Sequence, residues 1–149
     1  EMAGPFYFRM IDNGICLAAH LEPRHCNAFD EAHGGCVAGL ADTALGAAVL
    51  QSEAKPPTVA TLSLNIQYLA SSKKGDWLEA HCWADRVGRN FGFASGDLRV
   101  GDKVVAKVSA NFKIFSQAAT ERRLGGRQHV TFADVVQGAS EAASKTSGD

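Results

Sequence analysis

The sequence lacks an excess of charge of either sign, which limits the partners that it can attract. Its formal net charge is -1 over 149 residues, so the composition offers no basic surface for nucleic acid or anionic lipid. A chain of this length can bury a single hydrophobic core without disulfides or a structural metal. We therefore expect one globular unit with no nucleic-acid or membrane partner, whose function depends on local features.

The sequence also lacks paired cysteines and an uninterrupted apolar run. No CxxC pair joins the four cysteines, which are Cys16, Cys26, Cys36 and Cys82. This spacing supports neither a zinc knuckle nor a thioredoxin-like redox motif, so we expect reduced thiols, no metal and a cytoplasmic protein. The one long apolar stretch, which starts at Gly34, contains Asp42 and several Gly and Ala residues, and this argues against a membrane span.

Alternating hydrophobicity predicts a largely antiparallel sheet. The runs PFYFRM and GICLAAHL flank an Asn-Gly pair that is typical of a tight hairpin turn. Further strands are predicted at 61–69, 76–87, 91–100 and 103–114, with Gly101 and Asp102 in a two-residue turn. In the first of these strands, alternation places Thr61 on the polar face and Leu62, Leu64, Ile66 and Tyr68 on the apolar one.

The stretch from Gly34 predicts one long, buried helix. Its apolar residues recur at helical spacing and are Val37, Leu40, Ala41, Ala44, Leu45, Ala48 and Val49. Because its other faces are mostly Ala and Gly, the helix must be enclosed, and only the sheet can enclose it. We therefore predict an α+β fold, with a curved antiparallel sheet wrapped around one central helix.

Domain boundaries follow from a change in composition. We place the folded domain at residues 1–115 and a polar C-terminal tail, partly helical or disordered, at 116–149, with a short helix expected from Val130 onward. We assign no chemistry to this tail.

Three elements of the sequence carry a family resemblance. Asn27 lies six residues before the His of His33-Gly34-Gly35, and Asp42 lies nine residues after that His. This spacing resembles that of the hotdog-fold acyl-CoA thioesterases, in particular the phenylacetate-pathway (PaaI-like) branch. The resemblance extends over about residues 6–115 and implies a hotdog fold, thioester hydrolysis and no cofactor.

Softer matches and one departure accompany this motif. Thr61 stands where the family has Ser or Thr at the start of the strand after the helix, and Gly88-Arg89 recurs before a later strand. Ser71 departs from the pattern, because the family often has Pro in this loop.

Thioester hydrolysis needs donors for the carbonyl oxygen and a carboxylate that activates water or attacks directly. Gly34 and Gly35 open the helix, so we predict that their N–H groups are unpaired and form an oxyanion site. Asp42 lies on the order of 12 Å from Gly34 along the helix axis, because each residue rises about 1.5 Å. Two antiparallel helices would bring Gly34 of one copy to Asp42 of the other, which predicts an obligate homodimer, or a dimer of dimers, with shared sites.

The resemblance implies the same division of roles. Asn27 and Gly34 of one subunit would polarise the carbonyl, while Asp42 of the other, assisted by Thr61, would act as nucleophile or general base. His33 would orient the loop or contact the thioester sulfur.

Binding residues are predicted around this centre. Arg89, Lys73 and Lys74 could anchor the phosphates of coenzyme A at the dimer rim, and Gly35 belongs to the binding loop. Phe29 and Leu45 are candidates for the wall of the acyl pocket.

Other interpretations of the same residues stay open. Asp42 could be a structural acid, and His33 could simply cap the start of the helix. The chain could also be a noncatalytic acyl-CoA-binding module or a hotdog hydratase or dehydratase. Cys36, three residues after His33, could form a Cys-His nucleophilic pair. Cys36, His33, His25 and Cys26 are also considered as a metal site. This site is disfavoured, because His25 and Cys26 are adjacent in an extended segment and their side chains point to opposite sides.

Overall fold

The computed structural model describes residues 5–128, and these form one sheet and one long helix. The strands are β1 (Tyr7–Ile11), β2 (Gly14–His20), β3 (Thr58–Tyr68), β4 (Trp77–Val87), β5 (Phe91–Val100) and β6 (Lys103–Phe115). The helices are α1 (Gly34–Leu50) and α2 (Gln117–Leu124), with a short 3-10 turn at Pro23–His25. No helix in this part of the chain is long and apolar enough to cross a membrane.

All six strands belong to a single antiparallel sheet, and α1 packs across it. The strand order is β1-β2-β4-β5-β6-β3, so β1 and β3 are the two edges. α1 contacts every strand from β2 to β6, and the hydrophobic core lies between the helix and the sheet. The predicted α+β hotdog architecture is confirmed.

One face of α1 supplies the helical side of this core. None of the seven residues predicted to form its apolar stripe is more than 5% exposed. The opposite face is open, since Gly35 and Thr43 are exposed and Gly39, Asp42 and Gly46 are half-buried. The prediction that α1 is fully enclosed is therefore not met by a single chain.

The first hairpin is confirmed, but its turn lies one residue earlier than predicted. Asp12 and Asn13 form the turn, and Asn13 has the positive φ of 59° that such a turn requires. Gly14 already pairs with Ile11 in the ladder. A side chain at Gly14 would collide with the backbone carbonyl of Cys82 on β4, so this glycine allows close strand approach.

A bulge in β3 overturns the predicted faces of that strand. Thr61 lies opposite Phe112 and Ser63 lies opposite Asn111, so Leu62 is an extra residue. Phe112 faces the core at 1% exposure, whereas Leu62 is 59% exposed. Placing Thr61 on the polar face was therefore wrong, because the alternation of side chains is reset at a bulge. Thr61 faces α1.

The C-terminal part of the described chain contains α2, which falls inside the predicted tail. The short helix predicted from Val130 onward lies outside the described residues, as does the remainder of the tail.

Candidate active site

Asp42 and Thr61 meet through a side-chain hydrogen bond between α1 and β3. The Thr61 hydroxyl donates to Asp42 Oδ1 at 2.7 Å. Within residues 5–128, no hydrogen bond reaches the other carboxylate oxygen, Oδ2. Thr61 can make this contact only because the bulge at Leu62 turns it toward the helix. The result is a half-buried carboxylate with one oxygen oriented and the other available.

The N-terminus of α1 presents a single free amide rather than two. His33 is the N-cap, and its Nδ1 accepts a hydrogen bond of 3.0 Å from the Gly35 N–H. The prediction that both glycine amides are unpaired was therefore wrong for Gly35, because the capping side chain takes up that donor. The Gly34 N–H has no partner among the described residues. It lies at the positive end of the helix dipole and is exposed.

Asn27 lies at the base of a short loop that leads into α1. Its Oδ1 accepts hydrogen bonds from the N–H groups of Phe29, at 2.9 Å, and Glu31, at 3.2 Å. The loop is closed by a bridge between Cys26 and Ala32. Because the oxygen is used within the loop, the side-chain NH₂ group of Asn27 is the part that can donate to a ligand.

The predicted catalytic residues thus form two groups within one chain. His33 caps the helix that begins at Gly34, and its N–H donates to the His25 carbonyl, which joins the helix to the loop that carries Asn27. Asp42 and Thr61 form the second group, eight residues farther along α1. This separation corresponds to about 12 Å along the helix axis.

The predicted phosphate anchors also lie at opposite ends of α1. The Lys73 backbone forms a β-bridge with Glu31, shortly before the helix N-terminus. Arg89 lies in the β4–β5 turn, near Gly92, where an added Cβ would lie 2.9 Å from Val49 Cγ1 at the helix C-terminus. One chain therefore cannot direct both cations at the same phosphate group.

Lys74 is partly engaged by a neighbour. Its Nζ pairs with Asp30 Oδ1 at 2.9 Å, and both side chains are exposed. An exposed pair of this kind is weak and can exchange for a phosphate. Lys73 and Arg89 are exposed and form no ion pair within residues 5–128.

The two predicted wall residues have opposite environments. Phe29 is 84% exposed on the loop beside Asn27. Leu45 is completely buried between α1 and the sheet. Leu45 is therefore a core residue in this structure rather than the wall of an open pocket, because its position in the helix turns it toward the sheet.

Tyr68 is a neighbour of this site that the sequence analysis missed. Its hydroxyl donates to the Gly34 carbonyl at 2.8 Å, and it lines a cavity of about 370 Å³ with Gly34, Leu69 and Ser71. The only signal in the sequence was an aromatic residue at the end of a strand, which is typical of ordinary strand packing.

The structure disfavours Cys36 as a nucleophile. Burial raises the pKa of the Cys36 thiol above its ordinary value, so little thiolate is present near neutral pH. The Nδ1 atom of His33, the proposed base of the pair, already accepts the Gly35 N–H.

One cluster has donor types suited to a metal. Cys16, Glu79 and His81 bring their donor atoms within 4.8 Å of one another on the face of the sheet away from α1. Arg9 lies 3.6 Å from Glu79, and His81 lies 2.7 Å from it. The hydrogen bond from His81 lowers the pKa of the Glu79 carboxyl. Both contacts fall on the same carboxylate oxygen, Oε2, so two side chains already occupy that oxygen.

Comparison of the sequence with known proteins identifies a family and a relative that it resembles. The family model described as the thioesterase superfamily matches residues 30–107. A curated Pseudomonas aeruginosa protein, named as a candidate esterase, is 34% identical over 76% of this chain and 86% of its own length.

Solved structures agree with the fold. A hypothetical thioesterase of Streptococcus pneumoniae, crystallised with coenzyme A, is 22% identical with a TM-score of 0.69, covering 77% of this chain and 93% of that chain. Thioesterase superfamily member 2 of zebrafish is 24% identical with a TM-score of 0.67, covering 74% and 81%.

Proposed function

This chain belongs to the thioesterase superfamily, and on that premise we propose that it hydrolyses acyl-CoA thioesters to a free acid and coenzyme A. The observation that carries the proposal is the Asp42 carboxylate, held by Thr61 with one oxygen left free. The Asn27, His33-Gly34 and Asp42 spacing supports placement in the PaaI-like branch. The structurally similar Streptococcus pneumoniae protein was crystallised with coenzyme A, which supports coenzyme A as the carrier of the acyl group.

The proposed chemistry assigns complementary tasks to the two groups of residues. The Gly34 N–H and the Asn27 NH₂ group donate to the carbonyl oxygen, where negative charge develops as the carbonyl carbon becomes tetrahedral. Asp42 either attacks that carbon or takes a proton from the water that attacks it. The carbon–sulfur bond then breaks. When Asp42 acts as the base, the coenzyme A thiolate takes the proton that Asp42 removed from water. When Asp42 attacks directly, an acyl–Asp42 anhydride is left, and a water molecule hydrolyses it to the free acid and supplies the proton for the thiolate.

Two copies of the chain are needed to bring these tasks together. Asp42 and Gly34 are too far apart along one helix to contact one carbonyl, as are Arg89 and Lys73 to contact one phosphate. A two-fold axis that sets two α1 helices antiparallel removes both separations. We therefore assign Asn27 and Gly34 to one subunit and Asp42 with Thr61 to the other.

The open edge of β3 supports this dimer. β3 has 11 residues and no charged side chain, and Leu62 on it is 59% exposed. A long, uncharged edge strand is a template for pairing with another strand. A second copy of β3 would cover this edge and bring the open face of α1 toward its partner.

The test is a panel of acyl-CoA thioesters with release of free thiol as the readout. We expect Asp42→Asn and Asp42→Ala to lower kcat by about 10²- to 10⁴-fold, the range typical of a lost catalytic base. Asp102→Asn, in the exposed β5–β6 turn, is the matched control and keeps wild-type turnover.

Two outcomes would contradict the proposal. If either Asp42 variant keeps the wild-type kcat, Asp42 has a structural role and not a catalytic one. Binding of acyl-CoA by the wild-type protein, without thiol release on any member of the panel, would instead identify a noncatalytic binding module.

A further inference from the structure

Tyr68 contacts the proposed donor end of α1 without belonging to the motif. Its hydroxyl reaches the Gly34 carbonyl from the end of β3, across 34 residues of sequence. Its ring lies beside the Gly34 α-carbon, since a Cβ built on Gly34 would be 3.4 Å from the Tyr68 hydroxyl oxygen. We propose that Tyr68 is a positioning residue, which fixes the Gly34 amide for the thioester carbonyl. This inference rests on the proposed function.

Gly34 needs such an anchor because of its place in the chain. It is the first residue of α1, so its N–H makes no intrahelical hydrogen bond, and within residues 5–128 its peptide is held only at the His33 carbonyl, which accepts from the N–H groups of Cys36 and Val37. It is also one of two successive glycines, whose backbone is freer than that of any other residue. A donor that must reorient when charge develops contributes less than one already in place.

Two side chains hold the glycine pair from opposite sides. His33 accepts the Gly35 N–H, and Tyr68 donates to the Gly34 carbonyl. Together they fix both hydrogen-bonding groups of the Gly34–Gly35 peptide. The Gly34 N–H belongs to the preceding His33–Gly34 peptide, so the two contacts act on it through the Gly34 α-carbon, by limiting rotation of the glycine backbone about that atom.

β3 therefore reaches α1 at both proposed functional positions. Thr61 orients Asp42, and Tyr68 holds Gly34. In a dimer with shared sites, these two groups belong to different active sites. One strand then positions the acid of one site and the donor of the other.

The ring and the hydroxyl of Tyr68 can be separated by substitution. The ring helps to line the cavity of about 370 Å³ beside Gly34, whereas the hydroxyl makes the hydrogen bond. Tyr68→Phe removes only the hydroxyl, and Tyr68→Leu removes the ring as well. Tyr68 is 55% exposed, so neither change disturbs the core.

The test measures kcat and KM of both variants on the best wild-type thioester. We expect Tyr68→Phe to lower kcat by about tenfold, because a small misplacement of a catalytic group is costly. Its KM should stay within about twofold of wild type, since the interaction improves mainly in the transition state. Tyr68→Leu should lower kcat by a similar factor and also raise KM.

Two double variants separate positioning from a structural role. Tyr68→Phe combined with His33→Ala should lose less kcat than the product of the single losses, because both residues hold the Gly34–Gly35 peptide. For Tyr68→Phe combined with Thr61→Val, the loss of kcat should equal the product of the two single losses, because Tyr68 holds Gly34 whereas Thr61 orients Asp42.

The outcomes distinguish this inference from the proposed function. If the wild-type enzyme is active and Tyr68→Phe leaves kcat unchanged, the inference alone is overturned. It is also overturned if the loss of kcat in the Tyr68→Phe, His33→Ala double variant equals the product of the two single losses. If the wild-type protein releases no thiol from any thioester, the proposed function fails and the inference fails with it.

Discussion

A single hydrogen bond decides which oxygen of Asp42 is available for chemistry. Thr61 occupies Oδ1, and no described residue occupies Oδ2. A fully buried carboxylate without partners would be costly. Asp42 is half-buried in one chain, so a second copy can complete its enclosure. The substrate and water would then supply the missing partners.

Cys36 provides a test of the competing nucleophile. We expect Cys36→Ala to keep kcat within about twofold of wild type, because burial raises the pKa of this thiol and leaves little thiolate. The measurement is thiol release from the same acyl-CoA panel, with thermal unfolding as the stability check. A loss of kcat comparable to that of Asp42→Asn would indicate that the nucleophile is the Cys36 thiol rather than the Asp42 carboxylate.

At the scale of the elements, α1 was the part most fully predictable from sequence. Its apolar residues repeat at helical spacing over the whole segment, so every turn supports the same buried face. The motif spacing also placed Asp42 and Gly34 on this one helix. The donor role of Gly35 was not predictable, because it depends on the rotamer with which His33 caps the helix.

β3 shows why the other contacts of the candidate site could not be predicted from the sequence. Strict alternation placed Thr61 away from Leu64 and Ile66, and nothing in the sequence marks Leu62 as an extra residue. The bulge becomes visible only through pairing with β6. Tyr68 escaped notice for the same reason, since its contact with Gly34 depends on how the sheet crosses the helix. Contacts between distant segments are not encoded in local patterns.

The N-terminus of α1 permits removal of one amide donor with little disturbance. Gly34→Pro deletes the N–H at the first helical position, where proline is favoured. His33 has φ of -63° and ψ of 131°, the extended conformation that a residue before proline prefers. We expect kcat to fall by about 10²- to 10³-fold, as for other lost oxyanion donors. Thiol release and thermal unfolding are measured together.

Gly34→Ala is the matched control for this change. It keeps the N–H and adds a methyl group at ordinary contact distance from Tyr68, so it should retain most of the wild-type kcat. Equal kcat in the proline and alanine variants would show that the Gly34 amide is not a donor.

At the scale of the whole molecule, the two edges of the sheet differ in their capacity to pair. β1 has five residues and includes Arg9, whereas β3 has 11 and no charge. Short or charged edges resist pairing, and long uncharged edges favour it. β3 lies on the side of the sheet where Thr61 meets Asp42. The edge best suited to contact a second copy is therefore beside the proposed acid.

Mixed dimers test whether the active site is shared between subunits. We expect Asp42→Asn and Gly34→Pro chains to be nearly inactive alone, because each lacks one half of every site. Co-expressed with different tags and purified through both, a mixed dimer holds one intact site, formed by Gly34 of the first chain and Asp42 of the second. Thiol release should return to about half of the wild-type rate per protomer, since one of two symmetric sites is restored. If each site is instead built from one chain, both sites of the mixed dimer stay defective and no activity returns.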